Sequence, residues 1–175
     1  MSGTPRPPGP VTHYLEQDHA VLHALLARSV ARPGAVEPTA FAEFRAGILR
    51  HIAIEEKVLF PALRRARGGV QHPDWRRLRI DHGAIGSLLV PFPTPELVAE
   101  LRSILEPHNL VEEGPGGVYA DGDLIAVGEA VELIERMRAY PAVRVAPHRD
   151  GPHLVRTAAE ALALSAKQVA VREEP

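Results

Sequence analysis

Two short stretches of this chain carry an imidazole and a carboxylate four residues apart: His51-Ile52-Ala53-Ile54-Glu55-Glu56 and His108-Asn109-Leu110-Val111-Glu112-Glu113. Both read H-x-x-x-E-E. On a helix, residues i and i+4 lie one above the other on the same face. Each stretch therefore aims one nitrogen and one oxygen ligand at the same point. An Asp-His pair precedes each of them, Asp18-His19 and Asp81-His82. A single histidine on an amphipathic helix is ordinarily a core or boundary residue. Four histidines and two carboxylates in one repeating pattern ask for a common explanation.

Burying two ionised carboxylates in a helical core without compensation is very costly. A pair of metal ions removes that cost, and neutral imidazoles complete the shell. Mixed imidazole and carboxylate ligands suit iron, manganese or zinc. Carboxylates from opposing helices are able to bridge two ions, as in other di-metal bundles. The chain has no cysteine, which excludes thiolate ligands, disulfides and iron–sulfur clusters.

The elements that must position these groups are helices. Leu15, Leu22, Leu25, Leu26 and Val30 recur at helical steps and predict a first helix over 13–31, with Thr12 as its cap. A second is predicted from about Ala40 to Arg67, kinked at Pro61, which removes the bond to the Lys57 carbonyl. A third spans about 74–89. Thr94-Pro95-Glu96 opens a fourth that runs to about Glu113, with a bend or restart at Pro107. A fifth is expected over 124–140, opened by Asp121-Gly122-Asp123, and a last over 153–171 beyond a strap at 141–152. Asp18 to Leu26 and Asp81 to Leu89 resemble one another, and an H-x-x-x-E-E stretch follows each. That internal repeat predicts two helical hairpins packed as a four-helix bundle, and no stretch alternates as a strand.

In order, spacing and helix placement, His19, His51-x-x-x-Glu55, His82 and His108-x-x-x-Glu112 resemble the hemerythrin-like, or HHE, cation-binding family. The surrounding Asp18-His19 and Glu55-Glu56-Lys57-Val58-Leu59-Phe60-Pro61 fit too. The resemblance covers about residues 12–140. It implies an all-α, up-down four-helix bundle with a non-haem di-iron centre, two iron ions joined by an oxo or hydroxo bridge. It implies that Glu55 and Glu112 bridge the irons, with His19 and His51 on one and His82 and His108 on the other. Oxygen-carrying members have a second histidine four residues on in the third helix. That position is Gly86 here, and His23, at i+4 from His19, is a candidate substitute ligand. These departures point away from reversible oxygen carriage and towards an open, reactive or sensing site. Pro107 and Gly114-Pro115-Gly116-Gly117 predict a looser His108/Glu112 end.

Around this set, Glu56 and Glu113 point about 100° away from their neighbours and read as salt-bridged or outer residues. Asp18 and Asp81 are placed to orient an imidazole, though exposed helix acids is the simpler reading. Tyr14 and Tyr119 read as core or boundary packing, with a place near a site as the alternative. His13, His72, His148 and His153 fall near helix ends or loops.

Length and composition set the frame. With 175 residues and 45% hydrophobic content the chain can bury a core. A formal net charge of -2 gives no basis for nucleic-acid binding. No apolar run is long enough to span a membrane, and the Pro/Gly-rich start has no apolar core of a secretory signal, so the expected compartment is cytoplasm. Abundant Arg, Ala, Pro and Gly fit GC-rich codons and a bacterial source. The expected organisation is a disordered arm over 1–11, the metal-binding bundle over 12–140, and an extension over 141–175 whose helix packs on the bundle, in a monomer or homodimer. The expected function is binding or sensing of O2, NO, peroxide or iron. The alternatives are a di-iron enzyme acting on peroxide or O2, and a metal-free helical interaction module.

Overall fold

The computed structural model describes residues 8–173. The first seven residues of the expected arm lie outside that range. Among the described residues every regular element is helical.

Four rods form the bundle: α1 (Pro10–Ser29), a long rod made of α2 (Pro38–Ile54), a π turn (Glu55–Leu59) and α3 (Phe60–Ala66), then α4 (Trp75–Leu88) and α5 (Pro95–Glu113). A short α6 (Val118–Gly122), α7 (Val127–Arg138) and α8 (Ala158–Glu173) follow. Proline at the first turn and an acceptor before it start two rods. Glu37 accepts from the Thr39 and Ala40 amides, and Thr94 Oγ1 accepts from the Leu97 amide.

Several boundaries differ from the sequence expectation, each for a local reason. The first helix begins at Pro10, and Thr12 is not its cap. The Asp123 carboxylate arrives from across the fold and accepts from the Gly9, Val11 and Thr12 amides and the Thr12 hydroxyl. Asp123 therefore does not open the fifth helix, which starts later, at Val127. Pro61 is absorbed by a π turn. Phe60 N–H bonds to the Glu55 carbonyl five residues back, and widened turns of this kind concentrate at functional sites. Pro107 lies inside an unbroken α5. The last helix starts at Ala158, where Thr157 Oγ1 accepts from the Glu160 amide and Glu100 accepts from the Ala158 amide.

Two dry clusters fill the bundle. One joins Leu15, Ile54, Leu59, Phe60, Leu78 and Tyr119 with the inner face of α7. The other joins Leu22, Phe41, Phe44, Ile48, Ile85 and Leu101. Each such side chain stabilises the fold by about 1.5–3 kcal/mol when fully buried. Along α1 the order is Leu15, His19, Leu22. Along α2 it is Ile48, His51, Ile54, all buried. The polar groups thus form one layer sandwiched between two apolar ones.

The C-terminal segment covers the outside. Arg50 donates to the Met137, Arg138 and Tyr140 carbonyls at the end of α7, and residues 141–150, without regular structure, are held by Arg45 to the Ala146 carbonyl and by the Arg149 amide to the Val90 carbonyl. Then α8 packs along α4. Its buried Ala161, Ser165 and Val169 repeat at four-residue steps. Ser165 fills the notch left by Gly83, where an added Cβ would lie 2.2 Å from Ser165 Oγ.

Candidate metal centre

His19 comes from α1, His51 from α2, Glu55 from the first residue of the π turn, His82 from α4, and His108 and Glu112 from α5. All six are buried, and both carboxylates are fully so. The i,i+4 pairs meet as helical geometry requires. His51 Nε2 is 3.5 Å from Glu55 Oε1, and His108 Nε2 is 3.2 Å from Glu112 Oε1.

The two carboxylates run across the bundle. Glu55 has its other oxygen 3.2 Å from His82 Nε2. Glu112 has its other oxygen 3.6 Å from His19 Nε2, and its Oε1 is 3.9 Å from His82 Nε2. Each therefore links the His19/His51 half to the His82/His108 half. Ligand atoms of Glu55, His82, His108 and Glu112 lie close enough together to hold one ion, and those of His19, His51 and Glu112 to hold another. His23 belongs to neither group. It is exposed, one turn along α1 from His19.

Each imidazole has its outer nitrogen held by an acid. His51 Nδ1–H donates to Asp18 at 2.8 Å, and His108 Nδ1–H to Asp81 at 3.3 Å. His82 Nδ1–H donates to Glu56 at 3.0 Å, and His19 Nδ1–H to Glu113 at 2.6 Å. Carboxylates accept only, so these contacts fix the tautomers and turn all four Nε2 atoms inward. The pattern has internal symmetry. The Asp of each Asp-His pair holds the histidine of its own hairpin, and the second Glu of each H-x-x-x-E-E stretch holds the lone histidine of the other hairpin. Reading Asp18 and Asp81 as simple exposed helix acids is thereby corrected. Both are hydrogen-bonded to ring nitrogens, and Asp81 is buried.

The electrostatics follow from burial and proximity. Burial pulls the His51 imidazole down, but the Glu55 charge and the bonds to Asp18 and Glu55 outweigh it and lift the group to about 10. His108 is lifted to about 10 in the same way by Glu112 and Asp81. His82 is also raised, against its burial, by Glu55 and Glu56. Burial opposes ionisation of Glu55, yet His51 and His82 hold its carboxyl well below the usual range. The metal-free layer thus balances its carboxylates with protons on histidines, and a bound cation would replace those protons.

The donor set fits a metal. Glu55 Oε2, His82 Nε2 and Glu112 Oε1 are buried and make no hydrogen bond among the described residues. An orphaned buried polar atom costs about 1–3 kcal/mol, and more when charged. Three orphans facing one another at the His82/His108 half mark a position built for a cation.

Sequence reasoning missed the most central polar group of the other half. Tyr119 is fully buried, and its hydroxyl donates to Glu55 Oε1 at 2.7 Å. It also lies 3.1 Å from Glu112 Oε2, 3.1 Å from His19 Nε2 and 3.3 Å from His51 Nε2. Burial, then the Glu112 and Glu55 charges, push this phenol well above its ordinary range. The chain gets there by a tight reversal after α5. Gly116 has φ 76°, and a Cβ on Gly117 would lie 2.4 Å from the Glu112 carbonyl oxygen. His72 Nε2–H donates to the Gly116 carbonyl and Arg67 pairs with Asp121, which pin the turn from outside. The Gly-Pro-Gly-Gly run, read as loosening this end, is what returns the chain to the bundle axis. Tyr14 packs instead at the edge of the apolar cluster.

Two cavities reach the layer. One of ≈ 50 Å³ lies beside His19, lined by Leu22, Phe44, Ile48 and Asn109. Another of ≈ 330 Å³ lies beside His82, between the second rod, α4 and α8.

No curated protein and no solved structure matches this chain. The sequence profile of the hemerythrin HHE cation binding domain matches residues 11–114, more than half of the chain and all six of the converging histidine and glutamate residues. On that match, and with a buried His/Glu layer inside an all-helical bundle, the chain belongs to the hemerythrin HHE cation-binding family.

Proposed function

We propose that the protein holds two metal ions, with iron as the working metal, through His19, His51, Glu55, His82, His108 and Glu112, and that the loaded centre binds O2, NO or peroxide. The observation that carries this reading is the set of three buried atoms, Glu55 Oε2, Glu112 Oε1 and His82 Nε2, that make no hydrogen bond among the described residues and lie between two apolar clusters. A donor set of imidazole and carboxylate also suits manganese or zinc. When bound, iron supplies Lewis acidity and a redox couple for a small ligand.

The protein's own part is positional. Glu55 and Glu112 each present one oxygen to either half, which would hold two ions at a fixed separation. Asp18, Asp81, Glu56 and Glu113 lock the rings so that lone pairs face inward. The apolar clusters on either side keep bulk water from the layer.

The test is a spectral titration. Iron-loaded protein in anaerobic buffer is mixed with NO, and separately with O2 and peroxide, while absorption is followed. New visible bands are expected in the wild type, with their amplitude falling at least about tenfold in Glu112→Ala, a loss of order 1.4 kcal/mol or more in site occupancy. Iron-loaded wild type whose spectrum responds to none of the three would overturn the reading.

A further inference from the structure

The two halves of the layer are not equivalent, and the difference is a phenol. At the His19/His51 half four donor atoms run in sequence: Glu55 Oε1, His51 Nε2, His19 Nε2 and Glu112 Oε2. Successive separations are 3.5, 2.9 and 3.6 Å. The Tyr119 hydroxyl is 2.7–3.3 Å from all four. Donors at right angles on one ion, each about 2.0–2.2 Å from it, lie about 3 Å apart. The three successive separations and the four hydroxyl distances all fall near that value, as donors sharing one ion require.

Hydrogen bonding alone accounts poorly for this placement. Two of the four atoms around the hydroxyl are carboxylate oxygens, and one phenol proton can serve only one of the four. Among the described residues the His82/His108 half has no such fifth group, and its Glu55 Oε2, Glu112 Oε1 and His82 Nε2 make no hydrogen bond. Tyr119 also lies outside the residues 11–114 that the family profile matches.

We propose that Tyr119 is a phenolate ligand to the ion held by His19 and His51. The inference rests on the reading of the layer as an iron centre. On loading, the phenol O–H bond breaks, an oxygen–metal bond forms, and the proton is released to the buffer. The hard anionic oxygen would favour the ferric state of this ion once dioxygen from air has taken its electron, and it would bring the protein donors at this half to five. The external ligand is thereby directed to the ion at the His82/His108 half, where the protein offers only four donors.

The experiment is resonance Raman spectroscopy with excitation in the visible band of protein loaded with ferrous iron and oxidised in air, with iron counted per chain on the same sample. The expected result is a phenolate-to-iron charge-transfer band with enhanced tyrosine ring modes, lost in Tyr119→Phe while iron remains bound. Tyr14 and Tyr140 are the other two tyrosines. A Tyr14→Phe/Tyr140→Phe double variant, with Tyr119 as its one tyrosine, must keep the full signal, which covers the case of a Tyr119→Phe chain that does not fold. Iron bound with no phenolate modes, or modes that survive Tyr119→Phe, overturns the proposal and leaves the iron centre standing. A folded wild type that binds no iron overturns the iron centre itself.

Discussion

Every imidazole in the central layer is held from behind. Asp18, Asp81, Glu56 and Glu113 each take one ring N–H, which turns the opposite nitrogen towards the axis. Sequence spacing made the six inner residues legible, because i and i+4 share a helix face. It gave less on the outer four. A residue next to an inward histidine is turned by about 100°, towards the neighbouring helix, and which acid it meets there depends on how the rods are staggered. Tyr119 was legible as core packing, but not its place among the ligand atoms, which depends on a turn at Gly116 and Gly117. His23 has correct i+4 spacing from His19, but it faces solvent. Outer partners of metal-bound histidines typically affect affinity about 10–100-fold. Asp18→Asn is expected to weaken iron binding by that factor in competition with a chelator, with circular dichroism unchanged. Undiminished affinity would show that Asp18 does not tune the ligand.

At the scale of elements, the rods themselves follow from apolar periodicity and from proline-led starts such as Thr94-Pro95-Glu96. The misread boundaries share a cause. Asp123 has the type and position of a helix cap, but it caps α1 across the fold and not the helix that follows it. Pro61 predicts a kink and Pro107 a bend or restart; the first is met by a π turn, and the second lies inside an unbroken helix. The pairing of α8 with α4 depends on one notch. Gly83 lets Ser165 approach so closely that no larger side chain fits between the two backbones. Ser165→Leu overpacks that contact. It is expected to destabilise the protein by about 1–3 kcal/mol in urea unfolding, in the range usual for overpacked cores, with iron content unchanged because α8 supplies no ligand. An unaltered midpoint would mean that α8 is not firmly docked.

At the scale of the whole molecule, the design is a polar layer between two dry ones. The apolar layers commit the fold, and the layer between them carries an electrostatic load. Without metal that load is balanced by protons, as the raised His51 and His108 groups show. With metal it is balanced by cations, and binding to the folded state alone stabilises it by mass action. The central claim is that this layer holds two ions. Its most direct test is elemental analysis of the wild-type protein, reconstituted with iron, desalted and shown to be folded. The account predicts two irons per chain. A folded chain that retains none, or only one, contradicts it.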